Sequence, residues 1–166
     1  TRVLSEENRI SAARLGMILL PERVSVIPTV RDGRRVLHED IEIKCFYEGA
    51  STLVVGNHTL QVQAGDVVVI NPYEFHTTVN CNAGTGTGKY HLFMIPLDFF
   101  DERAAGDLNL RPLLLSNNYA LQPLFAQDAE LFEILSGIVR EYVDKKEGYA
   151  AMIRARMTEV FVTLLR

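Results

Sequence analysis

From Ile41 to Leu97, turn-forming residues interrupt the chain about every ten positions, and the stretches between them alternate apolar and polar side chains with a period of two. A segment this broken cannot form long helices. It must bury short strands against one another, as in an antiparallel sandwich or barrel. Ile41, Ile43, Cys45 and Tyr47 alternate with Glu42, Lys44 and Phe46. Glu48-Gly49-Ala50-Ser51 then supplies turn residues, and Thr52 to Val55 resumes the strand. Gly56-Asn57 suits a tight turn because both residues tolerate positive φ. Leu60-Gln61-Val62-Gln63 alternates again, and Ala64-Gly65-Asp66 turns the chain. Val67 to Ile70 is apolar on both faces, as a strand covered on both sides is, and Asn71-Pro72 ends it because proline cannot donate to a ladder. Further strands are expected at His76 to Val79 and Tyr90 to Leu97. Upstream, Ser25 to Val30 and Arg34 to Leu37 flank Arg31-Asp32-Gly33 as another hairpin candidate.

The period changes after Asp128. Leu131, Leu135, Ile138 and Tyr142 step by four, three and four, which is a helical stripe, and Gly148 is a suitable stop. Ile153, Met157, Val160 and Leu164 repeat those steps, so an antiparallel helix pair is expected. Residues 98–127, with Pro112, Pro123 and Asn117-Asn118, read as an irregular bridge. The expected organisation is residues 1–127 as a barrel with its N-terminal segment and bridge, and 128–166 as a helix pair of the same structural domain. Apolar residues off the stripes, Phe132, Val139 and Val143 on the first helix and Phe161 and Leu165 on the second, suggest two apolar faces, one toward the barrel and one toward a partner. On that reading the eight stripe residues serve dimerisation.

The bulk properties exclude several classes. A chain of 166 residues with 48% hydrophobic and 23% charged content can bury a full core. No apolar run approaches the roughly 20 residues a membrane span needs. The N-terminus shows no secretory pattern, so a cytoplasmic location without membrane contact is expected. Cys45 and Cys81 sit in no CxxC or disulfide framework and are expected as free thiols. The net charge of −4, with acidic residues concentrated between 36 and 100, argues that this piece does not itself grip nucleic acid.

The chemistry-bearing residues cluster between His38 and His76. The chain reads His38-Glu39-Asp40-Ile41-Glu42, closes a hairpin at Gly49, and continues as Gly65-Asp66, four apolar residues, Asn71-Pro72 and His76. In one strand from 38 to 47, His38, Asp40, Glu42, Lys44 and Phe46 share a face. That face points either to water or into an enclosed interior. The pattern resembles the paired cupin motifs in the form found in AraC-type transcription regulators. The resemblance covers residues 38–97 well, and the helix pair is similar to the C-terminal part of the same family's sensing domain. It implies a mainly β fold, a cupin-type jelly-roll barrel followed by an antiparallel helix pair, with the polar face turned inward. It further implies a small-molecule effector held by His38, Asp40, Glu42, Lys44, Phe46, His76, His91 and Phe93, a homodimer through the C-terminal helices, and DNA contact only through helix-turn-helix units beyond Arg166.

Cupin enzymes hold a transition metal with about three His and one Glu. By resemblance the matching positions are Val36, His38, Glu42 and His76, so the first His is replaced. Two His and one carboxylate still match a facial-triad donor set. The reading adopted is a sensor with no metal, no cofactor and no catalytic residue. The alternatives are a stand-alone metal-dependent cupin enzyme, an isomerase or dioxygenase using His38, Glu42 and His76, and a domain that only dimerises. His58 reads as a solvated strand residue. Gly84-Thr85-Gly86-Thr87-Gly88-Lys89 lacks the spacing and the following helix of a phosphate loop and reads as a hairpin loop.

Overall fold

The computed structural model describes residues 13–27, 38–80, 86–100, 109–116 and 119–166. In chain order the strands are β1 (Ile18–Val24), β2 (Ile41–Glu48), β3 (Ala50–Val55), β4 (His58–Gln63), β5 (Val67–Ile70), β6 (His76–Asn80), β7 (Lys89–Ile95) and β8 (Leu124–Phe125). The helices are α1 (Leu110–Leu115), α2 (Ala129–Asp144) and α3 (Tyr149–Leu164). The strands form two antiparallel sheets, one ordered β1-β7-β2-β5-β8 and the other β4-β3-β6. The fold is thus mainly β with two C-terminal helices, arranged as the jelly-roll reading requires.

Register on β2 sorts side chains into two environments. Ile43 lies opposite Phe93 on β7 and Val69 on β5, whereas Lys44 lies opposite Leu92 and Val68. Successive residues point to opposite faces, so Ile41, Ile43 and Cys45 look outward with Val67, Val69, Phe93 and Ile95. The helix pair covers this face in one buried cluster that includes Leu135, Ile138, Met157 and Phe161. Glu42, Lys44 and Phe46 look the other way. Phe46 joins Leu20, Val68, Ile70, Tyr90 and Leu92 against Leu53, Val55, Leu60 and Val62 of the second sheet, forming an inner apolar cluster.

The hairpin at Gly49 admits no side chain. Its φ is +67°, and a Cβ there would lie 2.3 Å from the Thr87 carbonyl oxygen. α2 begins where expected, with the Asp128 carboxylate accepting from Leu131 N at 3.0 Å as an N-cap. It stops at Asp144, because Lys145 adopts a left-handed conformation and returns its N–H to Glu141. Gly148 caps the start of α3 instead of the end of α2.

Several expectations are corrected. The stripe residues Leu131, Leu135, Ile138, Tyr142, Ile153, Met157, Val160 and Leu164 are all buried within the single chain, none more than 7% exposed. They are consumed by packing of the helices on each other and on the sheet, and so cannot be a seam to a second copy. Phe161, expected on a second face, is fully buried as well. The strand expected from Ser25 does not start there. β1 ends at Val24, residues 25–27 belong to no strand, and the rest of that hairpin lies outside the described residues. The bridge contains α1 and β8, which alternation did not reveal.

Candidate functional site

The inner face of β2 carries a carboxylate and an ammonium among hydrocarbon. Glu42 is flanked in the ladder by Ile70 and Met94, and Lys44 by Val68 and Leu92. Lys44 Nζ lies 3.2 Å from Glu42 Oε1 and 5.3 Å from the centre of the Tyr90 ring. Two histidines meet the other carboxylate oxygen. His38 Nε2 stands 3.1 Å and His76 Nε2 3.4 Å from Glu42 Oε2, and the two rings approach edge to face with centres 5.5 Å apart.

His38 reaches Glu42 by a route that strand periodicity does not allow. Residues four apart in a strand are about 13 Å apart at 3.3 Å per residue. β2, however, begins only at Ile41. Residues 39 and 40 form a bend that folds His38 back over Glu42, and His38 Nδ1 donates to the Asp40 carbonyl at 2.9 Å. The single strand from 38 to 47 is thereby corrected. His76, first residue of β6, is held the same way, with Nδ1 donating to the Glu74 carbonyl at 3.2 Å. The segment between β5 and β6 supports both rings, since Tyr73 N also donates to the His38 carbonyl at 2.8 Å.

These backbone contacts select the tautomer of each ring. A carbonyl only accepts, so each Nδ1 carries a hydrogen, and each Nε2 is the atom aimed at Glu42. Hydrogen bonds on both sides of a ring therefore need its imidazolium form, or a cation standing where the Nε2 hydrogens would be. The hydrogen bond to Glu42 raises the pKa of His38 above its ordinary 6.5, against the opposing effect of burial. Burial alone would push the Glu42 carboxyl up, but Lys44 and the two histidines outweigh it and hold Glu42 well below its ordinary range. Exposure rises across the group, with the Glu42 and Lys44 side chains at 7% and 8%, His76 at 11% and His38 at 15%.

Of the residues expected in the site, His38, Glu42, Lys44 and His76 come together, with Phe46 fully buried beside Tyr90 on the same face. Asp40 contributes its carbonyl, while burial raises the pKa of its carboxyl. His91 and Phe93 fall on the opposite face of the sheet. Phe93 is buried under the helices. His91 stacks on Tyr47 with ring centres 4.5 Å apart, and its Nδ1 accepts from Glu22 N at 3.2 Å. Tyr90 was missed, although the alternation that groups His91 with Phe93 also groups Tyr90 with Leu92. His58 is exposed on β4. Cys45 is a buried free thiol whose pKa burial pushes up to about 12, and Cys81 lies outside the described residues. Lys89 of the glycine-rich segment opens β7 and pairs with Glu48 at 2.7 Å. No helix among the described residues is long and apolar enough to cross a membrane.

Comparison with solved structures finds the same fold in ToxT from Vibrio cholerae, an AraC-family protein. The structure with an unsaturated fatty acid bound is 17% identical, with a TM-score of 0.53 over 89% of this chain and 52% of that one. The structure bound to (E)-4-(8-methylnaphthalen-1-yl)but-3-enoic acid is 11% identical, with a TM-score of 0.53 over 89% and 54%. This chain thus spans about half the length of ToxT. A Cupin 2 conserved barrel domain protein from Salinispora arenicola is 21% identical over 48% of this chain and 59% of its own, with a TM-score of 0.32. No curated protein matches the sequence. The family model described as AraC-like ligand binding domain matches residues 31–161. That range takes in every strand but β1 and most of the helix pair, and the chain belongs to the AraC-like ligand-binding domain family.

Proposed function

We propose that this domain senses a small molecule with an apolar body and an acidic head, and that it is the effector-binding part of an AraC-type transcription regulator. The observation that carries the reading is the buried group on the inner face of β2. Three side chains able to carry positive charge, Lys44, His38 and His76, surround the single carboxylate of Glu42 beside apolar walls. With the Lys44 ammonium and the His38 imidazolium set against the Glu42 carboxylate the group is one charge in excess, which an incoming carboxylate balances. Apolar walls with a few convergent polar groups are what a small-molecule site requires. The two ToxT ligands, a fatty acid and an arylbutenoic acid, share that chemistry.

On this reading no residue of the chain is catalytic, and DNA is contacted through a part of the protein outside this sequence. The reading includes pairing of two copies, as the family resemblance implies. With the stripe residues spent inside the chain, that contact falls to outward residues of the helices such as Val143 and Met152, 65% and 46% exposed. Titration calorimetry with medium-chain alkanoic and arylalkenoic acids tests the sensor. Saturable binding to the wild type that is lost in Lys44→Met is expected. No heat from either class of acid overturns the acidic-effector reading.

A second reading has a specific observation behind it. The two Nε2 atoms and a Glu42 oxygen lie within 4.8 Å of one another, and both rings are oriented through Nδ1 by backbone carbonyls, as metal-bound histidines usually are. His38, Glu42 and His76 would hold a divalent cation. Such an ion would supply Lewis acidity beside the inner face of β2. Elemental analysis after dialysis discriminates. A stoichiometric metal in the wild type that is absent from His76→Ala favours this reading over the acid sensor.

A further inference from the structure

β5 is clamped at both ends to the segment that leads into α2. At its C-terminal end Asn71 imitates a strand residue. Its Nδ2 donates to the Leu121 carbonyl at 2.9 Å, and its Oδ1 accepts from Leu121 N at 2.8 Å. The same Nδ2 and the Asn71 N–H both bond to the Glu74 carboxylate, at 3.1 and 2.9 Å. At the N-terminal end the buried Asp66 accepts from Gln127 N at 3.0 Å and from Gln127 Nε2 at 2.8 Å. Gln127 is held with φ +52°, and its side-chain amide covers Gly65, where a Cβ would lie 2.9 Å away. Between the clamps, β8 pairs with β5 through Val67 and Val68. Gln127 immediately precedes Asp128, the N-cap of α2.

We propose that Asn71 and Asp66 are positioning residues that join β5 and residues 121–127 into one transmitting unit, which passes a change at His38, Glu42 and His76 to the first turns of α2. The route is contiguous. Glu42 and Lys44 are ladder neighbours of Ile70 and Val68 on β5. The chain from Asn71 to Phe75 holds both histidines through the Glu74 carbonyl and Tyr73 N–H while Asn71 grips Leu121. An effector that displaces the imidazoles therefore pulls on the same loop that anchors the bridge. A shallow surface cleft lined by Asn71, Pro72, Glu74, Leu114 and Tyr119 lies beside this loop. A side chain that merely stabilised the turn would need only Glu74. The paired bonds to Leu121 tie the loop to the helices.

The proposal rests on the sensor reading, but its test needs no effector. Amide hydrogen exchange is measured on residues 129–135 and on β2, in the wild type, Lys44→Met, the clamp variant Asn71→Ala with Gln127→Gly, and the combination. Coupling carried through a contiguous network is typically about 0.5 kcal/mol or more, a little over twofold, so Lys44→Met should speed exchange at 129–135 about twofold or more. In the clamp variant that effect should fall below about twofold, while the change on β2 persists. An equal effect at 129–135 in both backgrounds, or none in the wild type, overturns the proposal. Should Asn71→Ala prevent folding, Gln127→Gly alone must weaken the transmitted change. That variant tolerates the left-handed backbone and keeps the bond from residue 127 N to Asp66, so an unweakened change is equally fatal. Failure of acid binding in the calorimetry would leave this coupling measurable, so the two claims fail separately.

Discussion

The two faces of β2 differ by one residue in sequence and by almost everything in chemistry. Ile41, Ile43 and Cys45 are fully buried under α2 and α3, in a cluster whose members are overwhelmingly hydrocarbon. Glu42 and Lys44 are nearly as buried, at 6% each, yet their neighbours are a partner charge, two imidazoles and a ring face. The outer face gains from every methylene it removes from water. The inner face must first recover the cost of desolvating two ions, and only the mutual pairing of Glu42, Lys44, His38 and His76 recovers it. The outer face therefore stabilises the fold, while the inner face holds the buried polar group on which the proposed function rests.

Truncation on the outer face should cost most. Phe161 is fully buried and meets Phe100 edge to face, with ring centres 5.1 Å apart. Phe161→Ala should destabilise by about 3–5 kcal/mol, read by urea denaturation. It should leave acid binding near wild type in whatever fraction remains folded. Loss of binding in the folded fraction would break the division between the faces.

Inner-face substitutions should show a sign change that the outer face cannot. Glu42→Leu leaves the Lys44 ammonium buried without its carboxylate and should cost about 3–5 kcal/mol. Adding Lys44→Met removes the orphaned charge, and the double variant should recover most of that loss or exceed wild-type stability. It should bind neither acid nor metal. Equal destabilisation by the single and double variants would show that the inner face is an ordinary core.

How much of this division could be read beforehand depends on which signal each residue carries. α2 and α3 were legible because sixteen residues each leave room for a full stripe. β5 was legible because Val67 to Ile70 is apolar throughout. The stripe itself does not say what covers it, so Leu131 to Leu164 looked the same whether the cover was this chain's own sheet or a second copy. Period two likewise sorts β7 into two sets without saying which faces inward. His91 and Phe93 were placed inside, and only the register of Lys44 against Leu92 reverses that. α1 was hidden by Pro112, which falls in the first turn of the helix, where a missing N–H costs nothing. β1 was hidden by Pro21 and Glu22, where the register shifts and Glu22 takes φ +57°. The site was legible as a set of residues because His38, Glu42 and His76 carry the cupin pattern. Its geometry was not, because the bend at 39 and 40 leaves no mark in alternation.

The smallest expected effect is the dependence on pH, which separates the two faces by sign. The folded pKa of His38 lies above 6.5, so its contribution is fully present below 6.5 and is lost as pH rises through that folded value. Glu42 is depressed, so its contribution is present above 4.5 and is lost only as pH falls through its low folded value. His91, on the outer face, is lowered by burial, so folding disfavours its charged form and stability falls as pH drops below 6.5. Thermal melts with chelator at about pH 5.5, 7 and 8.5 should show a decline on the alkaline side that His38→Asn removes. They should also show a decline on the mildly acidic side that His91→Asn reduces and His38→Asn does not. An alkaline decline untouched by His38→Asn would mean that the His38 ring gains nothing from Glu42, and the inner face would then lack the charge balance that makes it a site.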